Sequence, residues 1–190
     1  MPAQKTKERN IRAEDMKSRD NIVLIGMPGA GKSTVGVVLA KRLGYHFMDS
    51  DLVIQKQYGK LLHELIDEHG VEGFWKLEND VNAAIDVQET IIATGGSAVY
   101  GEEAMQHLRE IGTVIYLQLS YEEIEDRLGD LNSRGVTLHP GQTLRELYEE
   151  RIPLYEKYAH ITIPCDNKYL RHVVKEIAGV YEKPQEGNKD

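Results

Sequence analysis

Cysteine is almost missing from this 190-residue chain: Cys165 stands alone, so no internal disulfide can form. Such sparse usage fits a reducing compartment. Long apolar runs are missing too, and none approaches the roughly 20 residues that a membrane-spanning helix needs. The N-terminal stretch lacks the apolar segment of a secretory signal. A cytoplasmic location is expected from these absences together. Basic residues are outnumbered, 23 Lys and Arg against 31 Asp and Glu, for a net charge of −8. That balance argues against nucleic acid or an anionic membrane as the main partner. The seven histidines show no metal-ligand spacing and no Cys/His cluster, and read as surface or satisfied core residues. No internal repeat is present. The remaining profile is that of one compact domain acting on a small molecule, with a monomer expected. Residues 1–20 are nearly all polar and read as a flexible extension or a surface helix. Residues 182–190 read as a disordered tail.

What is present is a phosphate-binding loop, Gly26-Met27-Pro28-Gly29-Ala30-Gly31-Lys32-Ser33-Thr34, of the form GxxxxGK[ST]. It follows a short apolar run, Ile22 to Ile25, and precedes Val35, Val38, Leu39 and Leu43 at helical spacing. The glycines let successive backbone N–H groups turn toward phosphate oxygens, and the following helix adds its positive end. Gly29, Ala30, Gly31, Lys32, Ser33 and Thr34 are therefore the expected nucleotide-binding residues. Lys32 would reach the β- and γ-phosphates of ATP, and the Ser33 hydroxyl would ligate Mg²⁺. A glycine-rich turn matching by accident would not bring a strand before it and a helix after it.

Strand-like and helix-like segments alternate along the chain. The strands expected are 22–25, 45–48, 90–94, 113–119 and 161–163. Helical patterns cover the stretch to Leu43, the residues through Ile54, then 61–69 with Gly70 as a stop. Further helices are expected at 71–87, 102–109, 121–128, 143–151 and 169–181, and a polar segment spans 129–142. The alternation indicates an α/β fold with a mostly parallel sheet and helices on both faces. Ligands of such sheets bind beyond the carboxyl ends of the strands. Three polar clusters fall at those ends: the phosphate loop, Asp49-Ser50-Asp51 and Thr94-Gly95-Gly96-Ser97.

Phosphoryl transfer needs a phosphate cradle, a metal, cationic support and an aligned acceptor oxygen. If strand pairing holds through Asp51, the strand aims both Asp49 and Asp51, with Ser50 on the opposite face. One could then face Mg²⁺, directly or through water, and the other the acceptor hydroxyl. The alternative is a pair of acidic caps for the next helix. Arg134 lies in the polar segment, seven positions after Arg127, and could close over the triphosphate as part of a lid. An ordinary surface arginine is the other reading. Trp75, the single tryptophan, lies off the centre of the apolar stripe of its helix. It lines a ligand pocket or caps the core edge.

Taken together these segments resemble the shikimate kinase family. The likeness runs from about Asn21 to Val180. It is carried by Gly26–Thr34, Met48-Asp49-Ser50-Asp51 with Ile54, Ala93-Thr94-Gly95-Gly96, and Arg151-Ile152-Pro153-Leu154-Tyr155. The resemblance implies a P-loop three-layer α/β sandwich of the nucleoside monophosphate kinase type, with a five-stranded parallel sheet. It also implies a helical substrate-binding subdomain at about 52–87 and a lid at about 129–142 within a kinase domain spanning 21–181. By resemblance Asp49 is the residue near Mg²⁺. Asp51 holds the acceptor hydroxyls and serves as base. Arg127 packs on adenine, Arg134 is the lid arginine, and Arg151 binds the substrate carboxylate. Gly95 and Gly96 line the acceptor, and the reaction implied is phosphorylation of shikimate by ATP.

Three motifs depart from the family pattern. Where the family has Phe-Arg-x-x-Glu, this chain has Phe74-Trp75-Lys76-Leu77-Glu78, so Trp75 replaces an arginine that binds the carboxylate. Lys76 is no substitute, because one helical step turns a side chain by about 100°. The family's Gly-Gly-Gly is Gly95-Gly96-Ser97, and its Arg-Pro-Leu-Leu is Arg134-Gly135-Val136-Thr137. Loss of one charge-assisted carboxylate contact costs about 2–3 kcal/mol of binding. The acceptor is therefore expected to be shikimate or another small hydroxylated compound, such as a hydroxy amino acid or sugar acid. A nucleotide-binding regulator without catalysis is the reading from another class; retention of Lys32, Asp51 and Arg134 favours the enzyme. A signalling GTPase is poorly supported, because Asn167-Lys168 is not followed by the Asp of an NKxD motif.

Overall fold

The computed structural model describes residues 20–128 and 136–181. Arg134 with the first half of the expected lid (129–135), the N-terminal extension and the C-terminal tail lie outside the described residues, apart from Asp20 of the extension.

The sheet is parallel and five-stranded, in the order β2-β3-β1-β4-β5. β1 (Asn21–Ile25) lies at its centre and is buried along its whole length. That is why its sequence is a continuous apolar run rather than an alternating one. β2 (His46–Asp49), β3 (Thr90–Ala93), β4 (Gly112–Gln118) and β5 (Ile161–Pro164) complete the sheet. Around it lie α1 (Lys32–Leu43), α2 (Ser50–Tyr58), α3 (Leu62–Ala83), α4 (Glu102–Ile111), α5 (Tyr121–Leu128), α6 (Leu144–Tyr158) and α7 (Leu170–Tyr181). α1 packs against α7, and α3 packs against α4. This is the expected α/β architecture, helices flanking a parallel sheet.

The main core joins the strands to α1, α4, α6 and α7 through residues such as Ile22, Leu39, Ile92, Leu108, Ile115, Tyr155 and Ile177. A smaller apolar cluster, Ile54, Leu65, Phe74 and Val81, holds α2 to α3. Gly70 is non-helical, with φ of 71° and ψ of 177°, so α3 consists of two helices that meet at the expected stop.

Two boundaries differ from expectation. α3 ends at Ala83 rather than Val87, because the apolar signal of Ile85 comes from a buried residue in a turn. α6 continues past Arg151 and through Pro153 to Tyr158. Proline removes one backbone donor, and an interior proline usually ends a helix. Here burial of Tyr155 and Tyr158 in the core holds the helix together beyond it. At its other end Thr143 and Glu146 form a reciprocal capping box.

Candidate active site

β1 ends at the phosphate loop, and the central position of that strand places the loop where β2 and β3 lie to one side and β4 and β5 to the other. Gly31 caps α1 with φ of 88°, a left-handed conformation that costs a residue with a Cβ far more. The loop can therefore turn sharply into the helix, and inside it the Ala30 N–H donates to the Met27 carbonyl at 3.1 Å. Lys32 begins α1 and is buried. Its Nζ donates to the carbonyls of Gly26 (2.7 Å) and Met27 (3.0 Å), so the ammonium lies across the loop. Burial pulls its pKa down to about 8, against the opposing pull of the Asp51 carboxylate.

Ser33 and Asp49 meet at the second corner. Ser33 Oγ donates to Asp49 Oδ2 at 2.6 Å, and Asp49 Oδ1 accepts the backbone N–H of Asp51 at 3.0 Å. Asp49 is thus helix cap and Ser33 partner at once, so the two readings of this residue are compatible. The strand does not continue to Asp51. β2 pairs with β3 only as far as Asp49–Ala93, and α2 starts at Ser50. Asp51 is therefore aimed by the first turn of a helix and not by strand alternation. It is half-buried in the helix, and burial together with the nearby Asp49 charge pushes its pKa up to about 6.

A cavity of about 390 Å³ is lined by Pro28, Gly29, Gly31, Lys32, Ser33, Thr34, Asp51, Leu62, Thr94 and Gly96. An adjoining one of about 220 Å³ shares Gly31 and Thr34 and adds Ala30, Val35, Arg127, Cys165, Lys168, Leu170 and Val173. Arg127 is held by Glu123 at 3.2 Å, one turn earlier on α5. The second cavity is largely apolar with a cationic edge, suited to a flat heterocycle. Sequence reading did not find Cys165 or Lys168. The loop between β5 and α7 carries no motif, and only the fold brings it beside the phosphate loop.

Gly95 follows β3 and sits where only hydrogen fits. A Cβ there would overlap Glu78 Oε1 and lie 2.8 Å from Asp51 Oδ1. Glu78, missed as a site residue, is 1% exposed. Ser97 Oγ donates to its Oε2 at 2.6 Å, while Oε1 has no hydrogen-bond partner among the described residues. Burial, and then the Asp51 charge, push its pKa up to about 7, with the Ser97 hydrogen bond opposing. A signal was available: Glu78 lies on the same helical face as Phe74 and Val81, and a charge on a buried stripe is informative.

Arg151 is 1% exposed. Its Nε donates to Tyr100 Oη at 3.3 Å, and its Nη2 donates to the Thr137 carbonyl (3.2 Å) and hydroxyl (2.7 Å). Tyr100 also donates to Glu150. Trp75 stacks on Tyr100 with ring centroids 3.9 Å apart, and its Nε1 donates to Thr137 Oγ1 at 3.4 Å. Trp75 thus belongs to the wall around Arg151. Thr137 was legible only as a departure from a motif; its contacts with Arg151 and Trp75 arise from tertiary structure. Gly29, Gly31, Lys32, Ser33, Thr34, Asp51 and Gly96 line one cavity, Ala30 and Arg127 line the adjoining one, and Asp49, Gly95, Trp75 and Arg151 lie in the hydrogen-bonded surroundings described above.

The family profile described as shikimate kinase matches residues 28–182. The chain is 39% identical over 171 residues to the shikimate kinase of Methylococcus capsulatus, covering 88% of this chain and 96% of that one. The chain belongs to the shikimate kinase family. Its members are phosphotransferases that act on a hydroxyl group. Solved structures agree. The shikimate kinase of Acinetobacter baumannii in complex with shikimate aligns with a TM-score of 0.77 at 31% identity, covering 90% of this chain and 97% of that one. That of Aquifex aeolicus aligns with a TM-score of 0.72 at 32% identity, covering 85% and 95%. Among the described residues no helix is long and apolar enough to cross a membrane.

Proposed function

We propose that this chain transfers the γ-phosphate of ATP to a hydroxyl of shikimate, giving 3-phosphoshikimate, a step of aromatic amino-acid biosynthesis. The observation that supports it most is the shared cavity: the phosphate loop and the Asp51 carboxylate line one space of about 390 Å³. A phosphoryl donor and an alcohol acceptor can meet only if those two features face each other.

In this reading the backbone N–H groups from Gly29 to Thr34 cradle the phosphates, and Lys32 leaves the loop carbonyls to neutralise charge at the β- and γ-phosphates. Ser33 Oγ and Asp49 Oδ2 are hard oxygen donors 2.6 Å apart, a set that fits Mg²⁺ bound by few protein ligands and by phosphate oxygens. When bound, that ion would supply charge neutralisation between the phosphates. Asp51 takes the proton of the acceptor hydroxyl. The oxygen then bonds to the γ-phosphorus as the bond to the β–γ bridging oxygen breaks, and ADP leaves. Its raised pKa makes Asp51 a better base than an ordinary aspartate while leaving it mostly ionised at neutral pH. Arg127 and its apolar neighbours hold the adenine. Arg151 binds the acceptor carboxylate, and Arg134 acts as lid arginine.

The test is ADP release with shikimate, run beside a panel of small alcohols and hydroxy acids, with ³¹P detection of the product ester. Shikimate-dependent ADP formation with a new phosphomonoester is expected. Turnover of a different panel member, with none of shikimate, would refute the assignment of the acceptor. ATP binding without transfer to any of them would favour the regulator.

A further inference from the structure

The buried Arg151 guanidinium has only neutral hydrogen-bond partners among the described residues: Tyr100 and Thr137. Buried Glu78 acts on it electrostatically, but no hydrogen bond joins the two among the described residues, and a cation held out of water is costly unless an anion meets it directly. Thr137, 2% exposed, sits on that guanidinium. Its hydroxyl oxygen accepts from Arg151 Nη2 at 2.7 Å and from Trp75 Nε1 at 3.4 Å. A threonine hydroxyl has two acceptor lone pairs and one proton to donate. Both lone pairs are taken here, and the O–H has no acceptor among the described residues. The surroundings thus hold an excess of donors, which a ligand with negative oxygens would balance. The guanidinium abuts one wall of the cavity shared by the phosphate loop and Asp51. Gly96 lines that cavity, and a Cβ on Gly96 would lie 3.1 Å from Arg151 Nη1.

We propose that the Thr137 hydroxyl donates to the acceptor's carboxylate and serves, beside Arg151, as its second anchor in this chain. This rests on the reading of a carboxylate-bearing acceptor given above. Trp75 stands where the family pattern has an arginine, and it spends its one N–H orienting Thr137. Stacking on Tyr100 fixes the indole, and Tyr100 in turn holds Arg151. The two departures from the family pattern, at 75 and 137, thereby form one unit. Together they replace a charged contact by a neutral hydroxyl already polarised by two donors.

The experiment compares Thr137→Val and Thr137→Ser with the unaltered enzyme. Binding of shikimate and of its methyl ester is measured by calorimetry, and KM for ATP by ADP release. Valine keeps the shape and removes only the hydroxyl. The expected result is about a tenfold weaker affinity for shikimate in Thr137→Val, the size of one hydrogen bond to a charged group. Affinity for the uncharged ester and KM for ATP should stay within about twofold, and Thr137→Ser should restore most of the loss. Equal affinity for shikimate in the valine variant overturns the proposal. So does tighter binding, which would make Thr137 a plug in the Arg151 fork, and so does an equal loss for acid and ester. An unaltered enzyme that neither binds nor phosphorylates shikimate is a separate outcome. It refutes the acceptor assignment and takes this role with it.

Discussion

Glu78→Gln is a direct test of the electrostatics of the acceptor site. The carboxyl is buried, one oxygen accepts from Ser97, and the other lies bare beside Gly95 and Asp51. Its pKa rises from the model-compound value of 4.5 to about 7 in the folded chain. The folded protein therefore holds this proton more tightly than the unfolded chain does. The stability that goes with it is complete below pH 4.5 and is lost progressively as the pH rises through about 7. A displacement of that size corresponds to roughly 3 kcal/mol between the two ends of the window. Glutamine has nearly the same shape, keeps an oxygen for Ser97, and does not titrate. At pH 4.5 the variant and the parent should be about equally stable without ligands. At pH 8 the variant should be more stable by roughly 2–3 kcal/mol, or about 5–10 °C in Tm for a domain of this size. The assay is urea or thermal unfolding of the ligand-free protein at pH 4.5, 6, 7 and 8. Asp51 titrates in both proteins, so the difference between the two curves reports Glu78 together with its coupling to Asp51. Parallel stability curves across that range would refute the reasoning. They would show that Glu78 stays ionised, paired electrostatically with Lys32 and Arg151.

Other consequences can be checked with the same preparations. Lys32→Ala should lower turnover by orders of magnitude with the fold intact by circular dichroism, because it removes the cation facing the triphosphate. Asp51→Asn should abolish transfer while leaving ATP affinity within a few-fold by calorimetry. In the unaltered enzyme the acid limb of kcat/KM should fall near pH 6 rather than near 4, since protonated Asp51 cannot take the hydroxyl proton. Trp75→Arg should lower KM for shikimate several-fold in steady-state kinetics, because a guanidinium anchors a carboxylate better than a hydroxyl does. It should also cost about 1 kcal/mol of stability through loss of the stack on Tyr100.

The phosphate loop was fully legible in the sequence, because its function depends on backbone N–H groups that glycines and a following helix place locally. The alternation of elements and the parallel sheet were legible for a similar reason: buried parallel strands require unbroken apolar runs such as Ile22–Ile25. The positions of Asp49, Asp51, Gly95 and Arg151 near one another followed from strand ends and from a family resemblance. Other features could not be read that way. Whether Asp51 is aimed by a strand or a helix depended on where β2 stops pairing, and a hydrogen-bond ladder between distant segments decides that. Pro153 marks a helix end by local rules, yet burial of Tyr155 and Tyr158 overrides it. The cavity beside Arg127 draws Cys165 and Lys168 from a segment with no motif. Most of all, Trp75, Ser97 and Thr137 read as three separate departures from a pattern. Folding shows Ser97 on Glu78, and Trp75 with Thr137 on Arg151. Residues 62 positions apart exchange a hydrogen bond there. A sequence determines local backbone geometry and apolar periodicity by itself; which distant polar groups satisfy one another is settled only when the chain has closed around them.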